Sequence, residues 1–143
     1  MVVDVLPPPS AVSLDCVRTI SSRTSIPVLV LLTLMRTEGG RPGLSVKNTN
    51  GTRDYGVMQI NSVWIPRIER TMGVTLDEIR DNGCLNVAAG ALILRHLWIK
   101  DKNLYGAIGH YHSNNVRLSN QYRRLFLNNM DEIALELEKT VSR

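Results

Sequence analysis

The stretch Ile26 to Glu38, IPVLVLLTLMRTE, constrains this chain more than any other. It is apolar nearly all round, and a helix of that kind must be wrapped by the rest of the fold. Its strongly apolar part, Ile26 to Met35, is too short to span a bilayer. Leu31, Leu34 and Met35 recur at helical spacing, and Glu38 falls four residues after Leu34 on the same stripe. One carboxyl group therefore stands at the end of the buried face. Gly39 and Gly40 follow and stop the helix. Apolar neighbours disfavour the carboxylate form, and so does the partial negative charge of a helix C-terminus. A chain built only for stability would place Lys or Arg there. A general acid needs the reverse, a carboxyl group that keeps its proton near neutral pH. The bland reading is a surface Glu at a frayed helix end.

Residues 39–55 are rich in Gly, Asn, Thr and Pro and read as a loop, with Asn50-Gly51 a good hairpin turn. Loops of this length inside a compact domain are usually functional. Next comes Gly56-Val57-Met58-Gln59-Ile60-Asn61. Gly56 lets backbone approach a ligand closely. Met58 is an adaptable apolar contact or plain core. Gln59 offers both a donor and an acceptor. Asp54 is the only carboxylate between Glu38 and Gly56, either a second catalytic group or a loop Asp bonding nearby backbone N–H groups.

With 143 residues the chain is one domain, and 43% hydrophobic against 21% charged residues excludes a disordered tail. The net charge of +4 fits an acidic polymer partner or ordinary solubility. No Lys/Arg block supports nucleic-acid binding, so a helical nucleic-acid-binding protein rests on charge alone. Met1 to Leu6 carry neither a basic start nor a long apolar run, so no secretory signal is legible. Cys16 and Cys84 lie far apart and show no zinc or Cys-x-x-Cys spacing; they form one disulfide or are two buried thiols.

Residues 1–11, with Pro7-Pro8-Pro9, read as an extended lead. Periodicity predicts helices over 12–22, 26–38, 63–72, a short one after Thr75, then 84–100, 104–112, 116–128 and 131–140. Ser25, Ser62 and Asn103 are the expected caps, Pro27 suits a first turn, and Thr75-Leu76-Asp77-Glu78 is a capping box. Helix 84–100 carries His96 on its apolar side, as a core histidine. Helix 116–128 turns Tyr122, Leu125 and Phe126 inward and Arg117, Arg123 and Arg124 outward. Helix 131–140 is an amphipathic extension that packs on the domain or meets a partner. Tyr111 and Tyr122 each have a hydroxyl that can hold and orient the Glu38 carboxyl. His110 and His112, two apart on a helix, point different ways and make a poor metal pair.

Glu38 with Gly56-Val57-Met58-Gln59 resembles two motifs of the lytic transglycosylases with a goose-type lysozyme-like fold, Glu-Ser and Gly-Leu-Met-Gln. Gly109-His110-Tyr111-His112 resembles their Ala-Tyr-Asn motif, and Tyr122 their isolated late tyrosine. The likeness runs from about Cys16 to about Asn128, most of the chain. Asn48 to Gly56 and Cys84-Leu85-Asn86 are similar to the small branch that serves secretion, conjugation and pilus machines. The resemblance implies a mainly α, lysozyme-like single domain over 12–130, with a loop or small β-hairpin beside a groove and 131–143 as an extension. It implies a peptidoglycan lyase with Glu38 catalytic and with Gly56, Met58, Gln59, Asn61, Tyr111 and Tyr122 on the glycan. It implies a Cys16–Cys84 disulfide, a periplasmic or secreted location with the leader already removed and Met1 supplied by expression, and no cofactor or metal. One carboxylate then suffices, and Asp54 reads as a loop residue. Two positions depart from the motifs: Gly39 replaces Ser, and His112 replaces Asn. The alternatives are a lysozyme-type hydrolase and a non-catalytic glycan-binding or assembly module of the same fold.

Overall fold

The computed structural model describes residues 12–141, so the expected extended lead lies outside the described residues. The fold is mainly helical, with a small sheet to one side, as a lysozyme-like domain requires. Helix α1 is Leu14–Thr24, with the Ser13 hydroxyl accepting the Cys16 N–H at its start. Ser25 does not cap the next helix as expected. It takes a left-handed conformation (φ 62°) and ends α1. Helix α2 is Val28–Glu38, and Pro27 is its cap residue with no side-chain bond to the first turn.

All six residues from Val30 to Met35 are buried, so α2 is the central helix that its composition demands. It packs against α1 and two later helices, α5 (Gly83–Asp101) and α7 (Val116–Val141). Each fully buried leucine there contributes about 2 kcal/mol. Helix α3 is Ile65–Met72, preceded by a 3₁₀ turn over Ser62–Trp64. That turn is capped by Asn61, whose side-chain oxygen accepts the Val63 N–H, and not by Ser62. Helix α4 is Leu76–Asp81 and carries the Thr75–Glu78 capping box. Helix α6 is Leu104–His112, capped by Asn103. No single helix among the described residues is long and apolar enough to cross a membrane.

The polar loop forms an antiparallel sheet of three strands in the order β1 (Ser45–Lys47), β2 (Arg53–Tyr55), β3 (Ile60–Asn61). Ser45 faces Tyr55, Lys47 faces Arg53 and Asp54 faces Asn61. Asn50-Gly51 sits at the tip of the first hairpin, where Gly51 adopts φ 87° and the Asn50 side chain accepts the Thr52 N–H.

The C-terminal part differs from expectation. No break separates 128 from 131; α7 runs unbroken from Val116 to Val141. Asn128-Asn129-Met130-Asp131 contains no Gly or Pro to stop a helix. Tertiary contacts also hold this half: Ile133 is fully buried, Asn129 donates to the Thr37 hydroxyl, and Arg36 of α2 pairs with Glu132 and Glu136. Leu125 is exposed rather than inward, and Arg123 is drawn in, donating to the carbonyls of Tyr105 and Gly106.

Cys16 and Cys84 form a disulfide that ties α1 to the first turn of α5. It closes a loop of 68 residues, which restricts the unfolded chain by about 4 kcal/mol on the chain-entropy account. Replacing both cysteines with Ser is expected to lower Tm by about 10 °C. Calorimetry checks this, and an unchanged Tm would mean that α1 and α5 need no tether.

Candidate active site

Helix α2 delivers Glu38 as its last residue. Gly39 (φ 66°) ends the helix, its N–H bonding the Met35 carbonyl. Gly40 explains the second glycine. A Cβ there would stand 2.0 Å from the Gly56 carbonyl oxygen and 2.8 Å from that of Val57. The end of α2 and the turn before β3 therefore touch backbone to backbone, and this contact places the carboxyl beside the sheet.

The turn is anchored from below by one buried side chain, Asn86. Asn86 of α5 accepts the Met58 N–H at 2.7 Å and donates to the carbonyls of Tyr55 and Ile79, each at 2.9 Å. Gly56 (φ 72°) closes over that amide; a Cβ would meet Asn86 Nδ2 at 2.2 Å. Gly56 is buried, and its bareness serves Asn86 rather than a sugar. Met58 is also fully buried and packs against Gly90, so its side chain belongs to the core and does not reach the groove surface.

Beside these elements lies a groove of about 520 Å³. Glu38, Asp54, Gln59, Asn61 and Tyr111 line it, together with all of His110–Ser113 from the end of α6. Gln59 donates its side-chain amide to the Gly56 carbonyl at 3.0 Å, which fixes the turn and leaves its amide oxygen available. Asn61 donates to Thr52 Oγ1 and to Asp54 Oδ1 at 3.0 Å, so Asp54 is held by a side-chain amide and not by loop N–H groups.

The two tyrosines divide their tasks. Tyr122, 7% exposed, donates its hydroxyl to Glu38 Oε2. Tyr111 donates to the Met58 carbonyl at 2.9 Å, so it braces the turn and does not bond Glu38 as the sequence suggested. The exposed ring of His112 lies parallel on the Tyr122 ring, with centroids 4.8 Å apart and planes within 6°. Burial raises the Glu38 pKa to about 7; the Tyr122 hydrogen bond acts against the rise and the Asp54 charge adds to it. Burial also raises the pKa of both tyrosines, and the nearby Glu38 charge adds to each, so both stay neutral donors.

The sequence reading overlooked Trp64, His96 and Lys100, which also line the groove. His96 is not a core histidine: its ring nitrogens lie 3.3 Å from the Arg67 guanidinium, and Trp64 meets its ring edge-on. Trp64 follows closely on Asn61, and that proximity was the signal available. Asn86 was signalled by being the one polar residue in the apolar run from Leu85 to Leu94. His110 Nδ1 is engaged with Asp101 at 2.6 Å, and no three metal-binding side chains converge among the described residues.

Comparison with known proteins places the chain among relatives. Protein IpgF of Shigella sonnei is 31% identical over 100 residues, covering 69% of this chain and 65% of that protein. A peptidoglycan-binding-like protein of Escherichia coli O157:H7 is 35% identical over 81 residues, 55% of this chain and 47% of its own length. Invasion protein IagB of Salmonella typhimurium strain SL1344 is 32% identical over 77 residues, 51% of this chain and 45% of its own. The matched part thus spans less than two thirds of each of these relatives. The family described as Transglycosylase SLT domain matches residues 15–128, a stretch that holds Glu38, the Gly56–Asn61 turn, Tyr111 and Tyr122. On that match, over most of its length, the chain belongs to the transglycosylase SLT domain family.

Proposed function

We propose that this chain cleaves the β-1,4 bond between N-acetylmuramic acid and N-acetylglucosamine in peptidoglycan, leaving a 1,6-anhydro ring. The observation that carries this reading is the pairing of Glu38, in the groove wall, with the buried Tyr122 behind it. The acid has a pKa of about 7, so it is substantially protonated at neutral pH. Tyr122 occupies Oε2. Oε1, with no hydrogen-bond partner among the described residues, is the oxygen that faces the reaction.

Glu38 donates its proton to the leaving glycosidic oxygen as that bond breaks. The substrate's own N-acetyl group stabilises the anomeric carbon, as in substrate-assisted glycosidases. The Glu38 carboxylate then takes the proton of the C6 hydroxyl, whose oxygen bonds the anomeric carbon and closes the ring. One carboxyl group makes both transfers, returns to its starting state and consumes no water. Gln59 and Asn61 are the amide contacts for the N-acetyl groups.

A second reading has its own support. Asp54 lines the same groove and adds to the Glu38 shift, so a water held by Asp54 would make the chain a lysozyme-type hydrolase. Mass spectrometry of sacculi after incubation separates the two. The expected product carries the anhydro ring, and a reducing-end product heavier by one water would favour hydrolysis. The pH profile is a second check: kcat/KM is expected to fall above about pH 7 as Glu38 ionises, with no acidic limb owed to a second carboxylate. Binding to glycan without any product would leave the third reading, a non-catalytic wall or assembly module.

The relatives' names, one peptidoglycan-binding-like and one an invasion protein, support local work on the wall for a secretion, conjugation or pilus machine. The glycan substrate and the disulfide both suit a periplasmic or secreted location.

A further inference from the structure

We propose that His112 is a positioning residue for the acid: its imidazole, laid flat on Tyr122, shields the Tyr122–Glu38 hydrogen bond from groove water. The proposal rests on the reading of Glu38 as the general acid. Family resemblance does not supply it, because the matching motif has Asn here, which has no ring to stack.

The geometry is specific. His112 stands in the last turn of α6 and lines the groove, so one side of its ring meets solvent and the other meets Tyr122. Near-parallel planes 4.8 Å apart, centre to centre, are offset stacking, a contact beyond simple area burial. The two helices are also clamped together close by. Arg123 of α7 donates to the Tyr105 and Gly106 carbonyls of α6 at 2.9 and 2.8 Å. Gly109 makes room for that guanidinium, since a Cβ there would meet Arg123 Cζ at 2.3 Å. The stack is therefore set by the α6–α7 interface and does not depend on two loose rings meeting.

Among the described residues, the groups that bear on Glu38 are few. Tyr122 comes from α7, Asp54 from β2 and Tyr111 from α6, with the Tyr111 hydroxyl already engaged by Met58. Burial is the largest cause of the acid's raised pKa, and His112 is the exposed side chain that covers Tyr122 on the groove side. Two roles for His112 predict opposite signs. As a shield, its removal admits water and lets Glu38 ionise at lower pH. As a nearby cation, its removal would make ionisation harder.

The test uses the whole chain with His112→Ala and His112→Phe. Glu38 is titrated directly through its side-chain carboxyl carbon by NMR, and kcat/KM is followed against pH on sacculi. His112→Ala is expected to move the Glu38 midpoint down by about one pH unit and to lower kcat more than KM rises. His112→Phe keeps a flat ring without charge and is expected to restore both. An unchanged midpoint, an upward shift in His112→Ala, or a failure of Phe to restore it would overturn the proposal. If the wild-type protein releases no cleavage product at all, anhydro or hydrolysed, the enzymatic reading fails, while the NMR titration still decides the role of His112.

Discussion

Glu38→Gln is expected to abolish wall cleavage and, above neutral pH, to make the protein more stable. The amide can accept from Tyr122 but cannot donate and recover a proton at the glycosidic oxygen. Losing the group that makes both proton transfers should lower the rate by at least roughly 10²–10⁴-fold. The stability effect follows from the same burial. In the folded state the Glu38 pKa is raised from 4.5 to about 7. Between those values the folded protein keeps a proton that the unfolded chain has released. Stability therefore falls as pH rises through that window, and the penalty is fully present above it. A shift of this size corresponds to about 3 kcal/mol. Gln carries no such penalty. The variant should unfold at higher temperature than wild type near pH 8 and at nearly the same temperature near pH 4. Equal differences at both pH values would mean that the carboxyl is not desolvated. Persisting cleavage in the variant would remove Glu38 from the chemistry altogether.

A single substitution with a large effect on folding should be Asn86→Ala. Asn86 bonds three backbone groups of the interior: the Met58 N–H and the carbonyls of Tyr55 and Ile79. Each one left unpaired costs about 1–3 kcal/mol, so a loss of about 4 kcal/mol is expected even if water enters the space. Denaturant unfolding reads this directly. Asn86→Asp keeps the acceptor for Met58; ionised it loses both donations, but protonated at low pH it keeps one, so at low pH it should fall between wild type and Ala. A loss below about 1 kcal/mol for Ala would show that the turn is held by other contacts. Activity should suffer with stability, because the turn carries Gln59 into the groove and supplies the carbonyl that Tyr111 holds.

These two residues divide the site between them. Asn86 is a fully satisfied buried polar group and stabilises the fold that it organises. Glu38 is a buried acid whose ionisation the fold resists. A raised pKa is useful only because the surrounding structure tolerates that resistance, and α2, buried from Val30 to Met35, contributes stability that permits it.

Much of this was readable in the chain because its causes are local. An apolar run sets a central helix, a Gly pair stops it, Thr75 and Glu78 box the start of α4, and Asn50-Gly51 turns a hairpin. Each depends on residues a few positions apart. The position of Glu38 at the end of a buried stripe was legible for the same reason. Tertiary structure alone decided which tyrosine reaches the acid. Tyr122 bonds Glu38 across 84 residues of sequence, whereas Tyr111 reaches the Met58 carbonyl across 53. It also sent Met58 into the core, closed Gly56 over Asn86, brought Trp64, His96 and Lys100 to the groove, and carried α7 through 128–131 without a break. Periodicity says which face of a helix is buried. Only the packing of that face against its neighbours says what each side chain meets there.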